Sequence, residues 1–529
     1  MTHLAHVGEM LAMHARLFSD KIGASDLDRK MTFRLWDSRA CRLANAFAGI
    51  GLGKGDRVCV LAYNCLEWME LYVAAALAGV VIVPINFRLT GLEARYIIEN
   101  CDARALVVQD ELLGVIESVR VDLPVPPGNF VHFGKTACPA GYRDYEDLLG
   151  QARDSRPPVD INGSDPWTLM YTSGTTGKPK GAIRNHKGGA MLSLVTEVEL
   201  GISRNDAALL VMPMCHANSL YFFGAFSYCG AACTVYSRKH FDPEHLVHTL
   251  AKGGSTFTSL VPTHYSMMLD LPAAARARYN VDAVTKLMIS SAPARRETKL
   301  AVMEYFKNSG LFELYGSTEA GWVTMLHPEE QFSKLGSIGR ECVGSRPIRL
   351  LDADGNNVAE GQPGELYSCN DYTFDGYWKL RDKTREAFRG DYCTVGDMAR
   401  RDAEGYVYLV DRKSNMIISG GENVYPSEVE AVLSTHEKVK DVAVVGLADP
   451  TWGERVHAVI VASDGAVPTE TEIIEWCRSR IAGYKRPRSV CFIRDDEMPR
   501  TATGKIQHRL LRLQQENRRA DRWRTAGKS

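Results

Sequence analysis

The sequence predicts an α/β fold: a large N-terminal domain of β-sheets flanked by helices, followed by a small α+β C-terminal domain. Three observations predict it. Apolar runs of strand length, such as RVCVLAY (57–63) and VVIVPI (80–85), alternate with helical stretches such as CLEWMELYVAAALA (65–78), the pattern of sheets covered by helices. After about residue 410 the texture changes. VKDVAVVGLADPTWGERVHAVIV (439–461) reads as two strands around a turn, TETEIIEWCRSRIAG (469–483) as a helix and RSVCFIR (488–494) as another strand. Finally, 529 residues exceed what one core usually organises. The expected division is 1–411, a hinge at 412–414, and 415–529.

The longest uncharged run, Leu71–Phe87, is shorter than a membrane span and is broken by Gly79 and Pro84. It reads as a helix ending near Gly79 followed by a strand. The first twenty residues lack a basic start with an apolar core, so they read as an amphipathic helix rather than a secretory signal. A net charge of −1 gives no field that favours nucleic acid. Thirteen scattered cysteines, with no C-x-x-C, fit reduced thiols of a cytoplasmic protein better than disulfides or zinc. His240, His245 and His248 fit a solvated helix face better than a metal site. The polar, basic tail from Gln514 reads as a frayed helix end.

YTSGTTGKPKG (171–181) sits between an apolar strand, Trp167–Thr172, and a second strand candidate, Gly181–Asn185. The loop is too long for a tight hairpin. Gly174 and Gly177 let backbone N–H groups turn inward around an anion, and the hydroxyls of Thr172, Ser173, Thr175 and Thr176 add donors. Lys178 and Lys180 add charge. The spacing is not that of the Walker loop, and no helix follows directly.

Further stretches suit nucleotide chemistry. ELYGSTEAG (313–321) offers Tyr315 to stack on a base and Glu319 to reach Mg²⁺, although alone it reads as a turn between strand and helix. VGD places Asp397 after a glycine, able to accept from ribose hydroxyls, and DRKSNMIISGGENVYPSEVE (411–430) carries Arg412 and the Gly420-Gly421 pair. PRTATGKI (499–506) puts Lys505 in a small-residue loop ahead of a helix.

Together, and in this order, these motifs resemble the acyl-adenylate-forming superfamily, which includes acyl- and aryl-CoA synthetases, luciferases and peptide-synthetase adenylation domains. The resemblance runs from MTFRLWDSRACRLANAF (31–47) to Lys505. It implies a mobile C-terminal domain, ATP and Mg²⁺, and a role for each motif. Thr172, Ser173, Gly174, Thr175, Thr176, Gly177 and Lys180 would hold the β- and γ-phosphates. Ser291, Ala292, Pro293, Glu313, Leu314, Tyr315 and Gly316 would surround adenine. Thr318 would touch the α-phosphate. Glu319, with Thr176, would hold Mg²⁺. Asp397 and Arg412 would bind the ribose, and Asn423 would also belong to the ATP site. Lys505 would bridge the α-phosphate and the acid, and His216 would border the acid carboxylate.

The 420s and GLADPTWGERVHAVIV (446–461) resemble bacterial acyl- and aryl-CoA ligases most. In these the small domain swings after adenylation, so Gly420 and Gly421 would line the pantetheine tunnel. Trp452, Tyr484, Arg486, Arg488 and Arg88 would contact the CoA nucleotide. Ser414 stands where the family's hinge carries Asp or Lys. The alternatives are a stand-alone enzyme loading a carrier protein, or an ATP-binding scaffold without catalysis. The acid pocket would be walled by His216, Ser219, Tyr221, Thr263, Ser290, Gly316, Ser317 and Trp322. It shows no clear arginine for a second carboxylate, which favours a monocarboxylic acid. Trp322 is expected to limit its depth, toward aromatic, cyclic or medium-chain acids. A homodimer is left open, and no nucleic acid partner is expected.

Overall fold

The computed structural model describes residues 4–172, 178–290, 294, 296–419, 422–478, 480–501 and 504–526, with side chains as far as 518. Contacts divide the chain into two compact units, one of residues 1–348 and 368–395, the other of residues 349–367 and 396–529.

Two sheets organise the first unit. One has eight strands in the order Gly376–Tyr377, Lys180–Asn185, Pro166–Thr172, Val81–Ile85, Arg57–Leu61, Ala105–Gln109, Phe130–Phe133 and Arg143–Asp144. Pairing is parallel from Pro166–Thr172 onward, and antiparallel where Lys180–Asn185 joins it. The other has nine strands, with Gly310–Ser317, Lys286–Ser290, Phe257–Leu260, Ala207–Leu210 and Ala232–Val235 parallel at its centre. The expected strands at 57–63 and 80–85 are thus neighbours in one sheet.

The main core joins one face of each sheet through helices. All twelve residues of the Glu67–Ala78 helix are buried. Such a helix is buried on every side and shows no amphipathic stripe. Its two carboxylates are compensated: Glu67 by Arg29 at 2.6 Å, and Glu70 by Arg39 and the Tyr145 hydroxyl. Among the described residues no helix is long and apolar enough to cross a membrane. The expected N-terminal helix spans Val7–Leu17, capped by His6.

In the second unit Asp397–Arg401 and Val407–Arg412 form an antiparallel hairpin. A separate sheet places Gly453–Ala462 between Val439–Asp449, antiparallel, and Ser489–Ile493, parallel. The two strands expected at 439–461 meet at Asp449 and Gly453. Gly453 takes φ +73°, the left-handed residue that a three-residue hairpin loop requires, and this lifts Trp452 to the tip. The helix expected at 469–483 stops at Trp476. Beyond it the backbone tightens into i→i−3 bonds, Arg478 to Glu475 and Arg480 to Cys477.

Candidate active site

The ELYGSTEAG segment is not a turn into a helix. It is a hairpin between strands Gly310–Ser317 and Gly321–Leu326. Gly321 has φ +72°, and a Cβ on Gly316 would stand 2.3 Å from the Gly321 carbonyl, so only glycines close this turn. The hairpin tip presents Glu319, which is buried. Its Oε1 accepts from the Thr172 hydroxyl at 3.1 Å and from the Tyr377 hydroxyl at 3.0 Å. Lys180 lies over the Tyr377 ring, 4.0 Å from its centroid. Arg184 donates to the carbonyls of Thr318 and Glu319, and Tyr221 donates to that of Thr318. The two strands flanking the glycine-rich loop therefore hold the hairpin tip through side chains. The loop residues Ser173, Gly174, Thr175, Thr176 and Gly177 lie outside the described residues, as do Ser291, Ala292, Pro293, Gly420 and Gly421.

Tyr315 and Leu314 lie on the strand leading to this tip, Tyr315 half-buried and Leu314 buried. Glu313 does not offer its carboxylate to a ligand. It is buried against Lys299 in an ion pair, with burial pushing its carboxyl up and Lys299 opposing. Ser317 uses its hydroxyl to accept the Ala320 N–H and brace the turn.

Beyond the hairpin stands an aromatic wall. Trp322 is buried, edge-on to Tyr221 at 5.1 Å and 5.4 Å from Phe222. Its indole N–H donates to Thr196 at 2.8 Å, so the ring cannot easily rotate aside. His216 is the N-cap of the Ala217–Cys229 helix, and its Nε2 is buried with no hydrogen-bond partner among the described residues. Burial and the neighbouring Arg88 push it down to about 4, so it is neutral at pH 7. Ser290, at the end of its strand, accepts from Asn218 at 2.9 Å, while Asn218 Oδ1 is buried with no partner among the described residues. Ser219 is committed to the Met212 carbonyl. Thr263 is exposed on the first turn of the Pro262–Leu269 helix.

In the second unit, Asp397 and Arg412 are register partners across their hairpin and form an ion pair at 3.0 Å. Lys505, in the loop ahead of the His508–Ala526 helix, feels both. Lys505 is exposed, but the groups crowded around its ammonium remove part of its water; that and the Arg412 charge push its pKa down, while Asp397 and Asp411 pull it up. Arg488 stacks on Trp452, 3.7 Å from the ring centroid, and both Trp452 and Tyr484 are exposed. Arg486 is half-buried, and Asn423 is exposed.

A carboxylate ringed by hydroxyls, a stacked lysine and a separate lysine–aspartate–arginine group suit reactions of phosphate esters. The family of AMP-binding enzymes matches residues 11–378, and the C-terminal domain of the same enzymes matches residues 428–505. The chain belongs to the AMP-binding enzyme family. A long-chain-fatty-acid–CoA ligase of Mycobacterium tuberculosis is 32% identical over 97% of this chain and 99% of its own length. The structure of an anthranilate CoA ligase with anthranoyl-AMP is similar at TM-score 0.87 and 27% identity, over 98% of this chain and 99% of that one. The o-succinylbenzoate CoA synthetase of Bacillus subtilis with ATP and magnesium matches at TM-score 0.82 and 26% identity, over 94% and 98%. This AMP-binding enzyme therefore stands among the AMP-forming acid–CoA ligases, and the resemblance read from its motifs holds.

For this ligase the sequence missed Tyr377 and Asn218. Neither lies in a motif. Tyr377 is some sixty residues from Glu319 along the chain, brought in by the short edge strand Gly376–Tyr377. Asn218 had a signal, since it falls in the HANS segment beside His216.

Proposed function

We propose that the enzyme activates a compact monocarboxylic acid as acyl-AMP, releases pyrophosphate and transfers the acyl group to CoA. The single observation behind this is Glu319, a buried carboxylate on which the hydroxyls of Thr172, at the end of the strand entering the glycine-rich loop, and Tyr377, on the neighbouring edge strand, converge. An all-oxygen donor set with one carboxylate suits Mg²⁺. Bound there with ATP, Mg²⁺ would neutralise phosphate charge.

The acid is already an anion at pH 7, so no general base is needed. The difficulty is bringing two anions together and expelling a third, which calls for fixed cations and dipoles. In this reading Lys505 supplies a cation at the α-phosphate, Thr318 a donor beside it, and Lys180 with the glycine-rich loop holds the leaving group. Asp397 and Arg412 orient the ribose. His216, neutral, borders the acid without adding charge. Trp322, held by Thr196, closes the pocket and favours aromatic, cyclic or medium-chain acids. The exposed Trp452 and Arg488 offer a stacking face for the CoA nucleotide.

The second half-reaction is included through a swing of 415–529 about Arg412–Ser414. Such a swing must release Ser427, which donates its N–H to Asp411 at 2.9 Å and its hydroxyl to the Val410 carbonyl. The deciding experiment measures acid-dependent ATP–pyrophosphate exchange across a panel of acids, followed by thiol consumption on adding CoA. Exchange with a compact acid and CoA consumption support the reading. Exchange without CoA consumption leaves a carrier-loading enzyme. Best turnover of palmitate-like acids defeats the compact-pocket assignment.

A further inference from the structure

His132, Cys138 and Asp144 belong to no motif used above. His132 lies in the strand Phe130–Phe133, and Asp144 in the edge strand Arg143–Asp144. The strands are parallel, and His132 and Asp144 are register partners, so their side chains leave the same face of the sheet. Cys138 comes from the loop between them. One ligand atom from each residue lies within 4.8 Å of the other two.

The observation that asks for a ligand is His132. It is 0% exposed, and neither ring nitrogen has a hydrogen-bond partner among the described residues. Native proteins rarely leave a buried imidazole wholly unsatisfied. The neighbouring Tyr142 ring is edge-on at 6.4 Å, and its hydroxyl is bound to Glu117. Asp144 uses Oδ1 to cap the following helix, accepting from the N–H groups of Glu146 and Asp147. Its other oxygen takes no described hydrogen bond. Cys138 Sγ reaches only the Pro139 carbonyl, at 3.8 Å, among the described contacts. Asp144 and Asp147 together make the surroundings of the thiol negative.

We propose that His132, Cys138 and Asp144 bind one Zn²⁺ ion per chain. An imidazole, a thiol and a carboxylate are a mixed nitrogen, sulfur and oxygen set. Mg²⁺ and Ca²⁺ take oxygen ligands, whereas zinc accepts all three and completes a tetrahedron with water. Tetrahedral zinc ligands stand about 3.5 Å apart, so the trio draws in by about 1 Å on binding. Gly134 (φ +148°) and Gly141 (φ +83°) flank the loop that carries Cys138, both in backbone conformations that favour glycine. Binding forms a zinc–sulfur bond and releases the thiol proton to solvent, with no change of oxidation state. The ion ties the loop and the terminal strand of the eight-stranded sheet to its neighbour, a structural role separate from the ligase chemistry.

The test uses the full chain, stripped with a chelator and titrated with Zn²⁺ and with Co²⁺ as a spectroscopic substitute. The variants are Cys138→Ser and Asp144→Asn, the latter keeping a helix cap. The unmodified protein is expected to bind one ion with a rise in Tm, and Co²⁺ to give a thiolate-to-metal charge-transfer band. Cys138→Ser should abolish that band, and each variant should weaken Zn²⁺ binding by at least about tenfold. If Cys138→Ser does not fold, the affinity of Asp144→Asn decides. No binding by the unmodified protein, or affinity and band unchanged in the variants, overturns the proposal.

Discussion

The Glu319 group and the Lys505 group contrast in how they are held. Glu319 is buried, and hydroxyls from two other strands converge on one of its oxygens. Lys505 is an exposed residue in a loop, near an ion pair whose arginine is itself 38% exposed. The first group is wired into the core, so its geometry and the stability of the fold are one property. The second keeps its charge at the surface of its unit, where a change costs the fold little. A side chain that serves one step and then withdraws has to be of the second kind.

The sharpest way to break this contrast is Lys505→Ala. Acyl-adenylate formation should slow by at least about 10²–10³, the loss for one oriented charge. Tm should hold, and thioester formation from supplied acyl-adenylate should be nearly intact. Single-turnover kinetics of each half-reaction check this, and equal slowing of both halves would keep Lys505 at the site throughout. Glu319→Ala comes next. It should slow adenylation by roughly 10² and also lower stability by about 1–3 kcal/mol, because the Thr172 and Tyr377 hydroxyls lose their acceptor. Denaturant unfolding alongside Mg²⁺-dependent rates would show it. A purely kinetic effect would mean the site is not wired into the core.

Asp397→Ala sharpens the comparison within the second unit. The ATP concentration needed should rise about ten- to a hundredfold, with the acid dependence unchanged. Stability should change by about 1 kcal/mol, since Asp397 is buried but its partner Arg412 is 38% exposed, so water replaces much of what the arginine loses. Steady-state titration of ATP and of acid separates the two.

The smallest expected effect concerns acid. Burial pushes His186 down to about 3 and His216 to about 4 in the first unit, and His457 to about 4 in the second. The unfolded chain takes up these protons near pH 6.5, while the folded chain refuses them. Stability from these groups is therefore present above about pH 6.5 and is lost as the pH falls toward 4. In the second unit His508, raised by Glu430 against burial, works the other way: its contribution is full below about 6.5 and fades as pH rises through its folded value. Calorimetry between pH 7 and 4.5 should show Tm falling by about 1 °C per kcal/mol lost in a chain of this size. His186→Phe, which keeps the ring beside Trp167, should flatten the fall.

Much of this was legible one residue at a time. The strands at 57–63 and 80–85 follow from apolar runs, the loop strand pair around residue 175 from its flanks, and Lys505 from a small-residue loop ahead of a helix. Glu319 was legible as a carboxylate among glycines, but its setting was not. The same glycines that suggest a turn also permit a hairpin, and only the close approach of Gly316 to Gly321 selects the second.

By itself, the sequence determined the order of the elements, the family and the chemical types at the site, because local patterning and motif spacing are properties of contiguous residues. Tertiary structure decided which groups meet. Glu313 was turned from adenine to Lys299, Tyr377 was brought to Glu319, and His132 was set beside Asp144 by strand register. The physical reason is that burial and pairing depend on distance in space. Two strands in register place side chains together with nothing in their separation along the chain to announce it.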